Sequence, residues 1–214
     1  MTAQLFLLLV QACGWTVFIS VISIVLGLLL GTVVSAAMLS SSRSLALAGR
    51  IFVSFFRGSP LLVQLLLIYN LLPMLGLNVP SMVAAIVGLS LCTAAYQAEN
   101  LRGGFASVPV GLLEAADMLG LSPFQQFWRI RAPIALRMTL PALANESIMI
   151  LKASSLVSVV GVVELTRMAQ DLSASTFIPL PLFAAAAFIY LVINGIVALG
   201  FKKAENSFRW GIKA

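Results

Sequence analysis

The residues of this sequence that could act chemically are a few ionisable side chains within or beside long apolar runs. They are Glu99, Glu146, Lys152 and Glu164. A charge in an apolar environment is costly, so such residues are by default candidates for recognising a charged solute. The sequence has no histidine, the commonest general base and metal ligand. It also lacks metal-ligand spacing, a nucleophile–base pair and a G-x-x-x-x-G-K-[ST] phosphate loop, so we expect no cofactor and no ATP hydrolysis in this chain.

The elements that hold these side chains must lie in a membrane. Of 214 residues, 61% are hydrophobic and 9% are charged, against about 25% charged residues in an ordinary soluble domain. A bilayer can act as the apolar solvent for a surface that this chain is too small to bury. No charged, Pro-rich or Ser-rich linker divides the sequence, which predicts one transmembrane domain over residues 1–214. Cys13 and Cys92 lie in apolar runs, and we expect buried thiols there rather than a disulfide.

Predominantly apolar runs of about 20 residues, the length that crosses the hydrocarbon, predict an all-α transmembrane protein. Pro and Gly residues near position 75 divide one long run into two helices. We therefore expect five spans, at about residues 10–40, 52–72, 81–101, 138–162 and 182–201. The first run has neither a basic segment before it nor a cleavage pattern, so we expect a span rather than a signal peptide.

Lys and Arg residues are divided unequally between the two sets of loops. The loops on one side carry only Arg167. The loops on the opposite side carry Arg43, Arg50, Arg102, Arg129, Arg131, Arg137, Lys202, Lys203, Arg209 and Lys213. Cytoplasmic loops carry the excess of basic residues, which predicts an outer N-terminus and a cytoplasmic C-terminus. The same rule accounts for the net charge of +6 without a nucleic-acid partner.

The loop between the third and fourth spans is the most informative part of the sequence. Good helix formers over residues 112–119 predict a short helix that Gly120 ends, and Ser122-Pro123 predicts the start of a second short helix. Small side chains at Ala115 and Ala116, with carboxylates at Glu114 and Asp117 on one exposed face, would suit contact with another protein. The pattern alone fits a solvated interfacial helix equally well.

The order of residues in this loop resembles the EAA motif of binding-protein-dependent ABC importer permeases. The matching residues are Glu114, Ala115, Ala116, Gly120, Ile130 and Pro133. In that family the motif forms the coupling helix that docks on the ATPase subunit, which would place Asp117 there too and the coupling loop at about residues 103–137. Ala132 departs from the family, which usually has Leu before the closing Pro.

Further segments are similar to the histidine/glutamine-type permeases of polar amino-acid importers. They are Phe56 to Gln64, Ala95 to Glu99, Arg102 to Gly104, Ser107 to Pro109, Leu140 to Gly161 and Glu164 to Phe177. The resemblance covers about residues 14–207 and implies the type I ABC importer permease fold. One departure lies at Ala153, where family members mostly have Asp after the lysine.

The resemblance implies transport by alternating access across a bacterial inner membrane. The implied partners are an ABC ATPase dimer, which holds the ATP and Mg, a second permease subunit that is identical or homologous, and an extracytoplasmic solute-binding protein. A gradient-driven secondary transporter or channel is the alternative, and it commonly shows an inverted repeat. We find no such repeat. A membrane-embedded enzyme is disfavoured because the sequence offers so few catalytic groups.

Glu99 is the first candidate for the substrate pathway. It follows an apolar span, and it either lines the cavity or marks the helix end and pairs with Arg102. The family has a substrate-contacting Glu at this position, which favours the cavity and a positively charged group on the solute.

The other polar residues of the spans leave alternatives open. Lys152 would face the subunit interface, the cavity or an acid on another span, since Glu146 lies six residues earlier on a different helix face. Glu164 either helps to admit the solute or is a solvated loop charge. Gln64, Tyr69 and Tyr96 either line the cavity or pack, and Arg57 either reaches the headgroups or holds the coupling loop.

Overall fold

The computed structural model describes residues 2–208, and within them every regular element is a helix. Short helices connect the long ones. In chain order the elements are α1 (Ala3–Met38), α2 (Arg43–Gly58), α3 (Leu61–Met74), α4 (Ser81–Ala106), α5 (Val110–Met118), α6 (Pro123–Gln126), a π-helical turn (Phe127–Arg131), α7 (Ala132–Ala153), a 3₁₀ segment (Ser154–Val160), α8 (Leu165–Thr176) and α9 (Pro179–Phe208).

Four helical runs are long and apolar enough to cross a bilayer. They are Ala3–Met38, Ser81–Ala106, Pro123–Val160 and Pro179–Ser207. Helices α2 and α3 meet that test only as a pair, with a bend of 105° between them. The expectation of an all-α transmembrane fold with about five spans is confirmed.

The span expected over residues 52–72 is a bent pair of helices in the structure. Ser59 adopts an extended backbone at the break, with φ −107° and ψ 144°, because the ring of Pro60 disfavours the helical region for the residue before it. The side-chain amide of Gln64 fixes the bend by donating to the carbonyl oxygens of Phe56 at 2.8 Å and Ser59 at 2.9 Å. This span is therefore a broken one.

The span expected over residues 138–162 begins earlier in the structure. Ser122 caps a helix start as predicted, and its capping box with Gln125 satisfies two backbone N–H groups. That helix is not short, because it continues through the π-helical turn into α7. The continuous helical run ends at Gly161, which has φ +82°, a conformation that glycine adopts without steric cost.

Helix α4 is the centre of the bundle and contacts α1, α2, α3 and α7. Glycines let the backbones approach closely, as in other membrane helix pairs. A Cβ atom at Gly31 would lie 2.9 Å from the carbonyl oxygen of Ala94, and one at Gly104 would lie 2.8 Å from that of Ala135. Close packing on both sides thus fixes α4 and the polar residues that it carries.

Helices α1 and α9 have broad outer surfaces of exposed apolar side chains. Examples are Leu29, Val33, Leu191, Ile196 and Leu199. Such surfaces suit lipid or another membrane helix. Lys202 and Lys203 lie near the end of α9, while Arg209 and Lys213 lie outside the described residues. The orientation of the termini stays a prediction.

Candidate functional site

Helix α5 (Val110–Met118) lies on the loop between α4 and the next span, where the coupling helix was expected. Glu114, Ala115 and Asp117 are exposed, and the two acids are three residues apart on one helix face. Ala116 differs from the expectation, because it is only 2% exposed and packs into the chain. The surface open to a partner therefore consists of Glu114, Ala115 and Asp117.

The end of α5 is held in one shape by backbone and side-chain hydrogen bonds. Gly120 has φ +72°, and the N–H of Leu121 donates to the carbonyl of Ala116 at 3.1 Å, as in a Schellman cap. The side-chain amide of Gln126 donates to the Asp117 carboxylate at 2.6 Å and to the carbonyl of Leu121 at 3.0 Å. The loop is thus a firm element, and Gln126 is a residue that the sequence analysis missed.

Large apolar side chains surround the acidic face of α5. Met118 is 90% exposed, Leu119 is 79% exposed, and Phe124 and Trp128 are also exposed. Exposed apolar groups beside acids on a loop suit a protein interface. Ile130 lies in the π-helical turn and Pro133 in the first turn of α7, and both are half-buried where the loop joins its span.

The two spans that flank α5 are joined below it by an aromatic contact. The rings of Phe105, at the end of α4, and Phe127, in the π-helical turn, are stacked with centroids 5.9 Å apart. A displacement of α5 would therefore reach both spans together.

A pocket of about 380 Å³ lies where the bend between α2 and α3 meets α4 and α7. Arg57 and Tyr96 line it, and the guanidinium carbon of Arg57 lies 5.1 Å from the centre of the Tyr96 ring. This distance is typical of a cation–π contact. Ala153 lines the same pocket from the end of α7. Arg57 is exposed beside this pocket, and both roles expected for it, a headgroup contact or a support of the coupling loop, stay predictions.

Glu99 pairs with Arg102, as the alternative interpretation expected. Its two oxygens accept from the Nε of Arg102 at 3.0 Å and from a terminal nitrogen at 2.5 Å. A bidentate pair of this kind leaves little free charge on the carboxylate. Glu99 lies one helical turn below Tyr96 and does not line the pocket; a contact with the solute stays a prediction.

Lys152 lies near the end of α7, on the side of the helix away from the pocket that Ala153 lines. It lines a second pocket of about 320 Å³ together with Thr166 and Tyr190. The ion pairs of the described residues are Glu99–Arg102 and Arg167–Asp171, so Lys152 has no acid partner within residues 2–208. Lys152 and Glu146 form no ion pair with each other among the described residues.

Glu146 is a carboxylate buried within its span. It is 5% exposed, and its Oε1 atom has no hydrogen-bond partner among the described residues. Cys92, across the α4–α7 contact, is a buried free thiol, and Cys13 is a half-buried one.

Glu164 is fully buried, so the expectation of a solvated loop charge is wrong. It caps α8 by accepting from the N–H groups of Thr166 at 2.9 Å and Arg167 at 2.8 Å. The hydroxyls of Tyr190, at 2.8 Å, and Thr16, at 3.4 Å, also donate to it. Burial raises the pKa of this carboxyl, and these four hydrogen bonds oppose the shift. A role in admitting the solute stays a prediction.

The remaining predicted pathway residues lie apart from the pocket of Arg57. Gln64 is 3% exposed and its amide nitrogen holds the α2–α3 bend. Tyr69 lines a separate pocket near the α3–α4 connection. The structure thus brings Tyr96 together with Arg57 and Ala153 in one pocket, whereas Glu99, Gln64, Lys152 and Glu164 are not among the residues that line it.

Comparison with known proteins gives consistent matches. Residues 23–209 match the family model described as binding-protein-dependent transport system inner membrane component. The chain is 38% identical over 201 residues to the nopaline transport system permease protein of Agrobacterium fabrum, covering 89% of this chain and 83% of that protein. It is 33% identical over 204 residues to the glutamine transport system permease protein of Escherichia coli K12, covering 94% and 93%.

The fold also matches a solved protein. A crystal structure described as an amino acid ABC transporter with histidines aligns with a TM-score of 0.89 and 33% identity. The alignment covers 94% of both chains.

Proposed function

The chain belongs to the family of binding-protein-dependent transport system inner membrane components, and from that membership we propose that it imports an amino acid or an amino-acid derivative as the permease subunit of an ABC transporter. Relatives at 33–38% identity are named for the transport of nopaline, glutamine, octopine, or histidine with lysine, arginine and ornithine. An amino acid or a derivative of one is the chemistry that these names share. The chain is a multi-pass membrane protein, and its compartment would be the bacterial inner membrane.

The observation that carries the proposal is the exposed, firmly capped helix α5. Its acids Glu114 and Asp117 and its apolar neighbours Met118 and Leu119 face away from the chain. A surface of this kind is suited to a groove on a second protein, with apolar contacts at the centre and charges at the rim. We take residues 103–137 as the coupling loop.

Helix α5 would transmit the motion of the ATPase into the membrane. The cap at Gly120 and the hydrogen bond between Gln126 and Asp117 tie the end of α5 to the start of the next helix. The stacked rings of Phe105 and Phe127 join the two spans that leave the loop. Closure of the ATPase would therefore move α4 and α7 together relative to the second permease, which changes the side to which a cavity between the two permease subunits opens.

The partners would be two ATPase subunits that hold ATP and Mg, an extracytoplasmic solute-binding protein and a second permease. That second permease is identical or homologous, and its own surface would complete the translocation pathway. This chain would supply no covalent chemistry. The free energy of transport would come from hydrolysis in the ATPase subunits.

The experiment is ATP hydrolysis by the complex in lipid nanodiscs, with binding protein added with and without a panel of amino acids. We expect stimulation by one liganded binding protein. Glu114→Lys should abolish that stimulation and leave the chain in the membrane, because it reverses the charge of the docking face. Glu205→Lys is the matched control, since Glu205 lies beside Lys202 and Lys203 near the end of α9 and outside the coupling loop. Normal stimulation in Glu114→Lys, or no complex with any ATPase, would contradict the proposal.

A further inference from the structure

The charged side chains in the first half of the sequence are confined to one helix. The first 98 residues contain three of them, Arg43, Arg50 and Arg57, and no acidic residue. All three lie in α2 and are seven residues apart. Seven residues complete two helical turns to within about 20°. The three arginines therefore form one row along a single face of α2.

Two arginines of this row have no acidic partner. Arg43 and Arg50 are exposed, and neither takes part in an ion pair within residues 2–208. Arg57 differs from them, because it lies over the ring of Tyr96 and its charge acts on the carboxylate of Glu99. The uncompensated positive charge of α2 is thus at Arg43 and Arg50.

A row of apolar side chains lies beside the arginines. Leu47, Ile51 and Phe55 are four residues apart, and each is more than half exposed. Leu47 follows Arg43 by four residues and precedes Arg50 by three, so its side chain lies between theirs on the helix surface. Helix α2 therefore exposes a cationic row and an apolar row next to each other.

Packing against α1 and α4 fixes the direction in which these two rows face. Gly49 and Val53 are the buried residues of α2. Val53 packs with Met38 of α1 and Ala98 of α4, and a Cβ atom at Gly49 would lie 2.7 Å from the Cγ atom of Met38. The third face of the helix is thus held closely against the bundle, and the two exposed rows are left without a partner.

The bend between α2 and α3 gives α2 the inclination of an interfacial helix. The two axes differ by 105°, so an α3 that crosses the bilayer near its normal places α2 within about 15° of the membrane plane. A helix in that plane with basic residues on one face and Leu, Ile and Phe on another is typical of attachment to a membrane surface. The long side chain of arginine can reach the headgroups from such a position.

We infer that α2 is an interfacial helix whose residues Arg43 and Arg50 bind the phosphate groups of anionic phospholipids. A lipid surface matches both exposed rows, because phosphates accept from the guanidinium groups and acyl chains cover the apolar side chains. An acidic protein surface would match the arginines alone. Anionic lipids are preferred to zwitterionic ones because no acid of α2 offsets the two charges. This lipid contact goes beyond the proposed function and does not depend on it.

The test is fluorescence quenching of a tryptophan placed between the two arginines. Leu47→Trp is prepared in the full chain, assembled with its partners in nanodiscs that contain brominated phosphatidylglycerol or brominated phosphatidylcholine. The quenching in excess of that in the chain with Leu47 reports the lipid beside α2. We expect phosphatidylglycerol to be preferred by about 5- to 30-fold, because each arginine near the surface contributes about 5-fold to the affinity for anionic lipid.

Variants of the arginine row separate this site from the net charge of the protein. Arg50→Gln should lower the preference by about 5-fold, and Arg43→Gln combined with Arg50→Gln should bring it close to equality. Replacement of both by Lys keeps the charges and should keep most of the preference. Arg57→Gln is the matched control on the same helix. It should have little effect, because it lies about 15 Å along the helix from position 47, beyond the screening length of about 8 Å at physiological salt.

Equal quenching by the two lipids with all three arginines present would overturn the inference. An unchanged preference in the double glutamine variant, or an equal loss in Arg57→Gln, would also overturn it. Weak quenching by both lipids would show that a protein covers position 47, and the lipid contact would again be refuted. Equal quenching by brominated phosphatidylcholine in every variant shows that α2 keeps its place. ATPase stimulation is measured in the same nanodiscs, so failure of the inference is distinct from failure of the proposed function.

Discussion

Replacement of Glu164 by Ala tests whether this residue is a structural cap or a contact for the solute. Its carboxylate accepts two backbone N–H groups at the start of α8 and the hydroxyls of Tyr190 and Thr16. Loss of an N-terminal cap costs about 0.5–2 kcal/mol, and each hydroxyl that loses a buried partner costs roughly another 0.5–1.5 kcal/mol. We therefore expect Glu164→Ala to destabilise the chain by about 2–4 kcal/mol.

The assay is thermal unfolding of the purified complex in nanodiscs, followed by fluorescence-detected size-exclusion chromatography. This loss of stability corresponds to a fall in the thermal unfolding midpoint of roughly 4–16 °C, on the scale that applies to soluble chains of 150–250 residues. Glu164→Gln keeps one oxygen, which can accept from Thr166, Tyr190 and Thr16, but its NH2 group then faces the N–H of Arg167. It should cost about 1–3 kcal/mol, the penalty of one buried unsatisfied donor.

The pH dependence has a defined sign because burial raises the pKa of Glu164. A carboxyl with a raised pKa in the folded chain contributes stability below its unfolded value of about 4.3, and that contribution is lost as pH rises through the folded value. The effect should be present in the wild type and absent in Glu164→Gln. An unchanged midpoint in Glu164→Ala together with lost uptake would refute the cap and support a contact with the solute.

Three other substitutions follow from the same contacts. Gly120→Val should lose ATPase stimulation while Gly120→Asn retains it. The backbone at position 120 has φ +72°, which costs a β-branched residue about 1–2 kcal/mol and is tolerated by Asn. Equal stimulation in both variants would refute the strain argument. Gln64→Leu should remove the hydrogen bonds that hold the α2–α3 bend, lower stability by about 1–3 kcal/mol and broaden spin-label distances between the two helices. Gly31→Leu should cost about 1–3 kcal/mol in thermal unfolding by overpacking α1 against α4, whereas Gly14→Leu, at a position with open space, should have little effect.

Much of the fold could be predicted from the sequence. Long apolar runs with few charges gave the number of spans, because every residue in the hydrocarbon must be apolar or specially accommodated. The end of one helix at Gly120 and the start of the next at Ser122 were also predicted, because local backbone requirements select those residue types. Such signals depend on neighbours in sequence.

The errors have a common cause in contacts between distant residues. The sequence shows Pro60, but the 105° bend also depends on the amide of Gln64 reaching back to Phe56 and Ser59. The long helix from Pro123 was cut short in the prediction because its first turns are polar, although the structure continues them as a helix. Neither effect is visible in the hydropathy of a single window.

The candidate sites were likewise determined partly by the sequence and partly by the tertiary structure. The sequence by itself determined that the chain crosses a membrane, that a helix lies on the loop before the fourth span, and which side chains that helix carries. Only the tertiary structure decided that Glu164 is a buried cap, that Glu99 is neutralised by Arg102, and that Arg57 shares a pocket with Tyr96 and Ala153. The physical reason is that span location depends on local composition, whereas the free charge in a pocket depends on which partners the packing of α2, α4 and α7 brings within hydrogen-bonding distance.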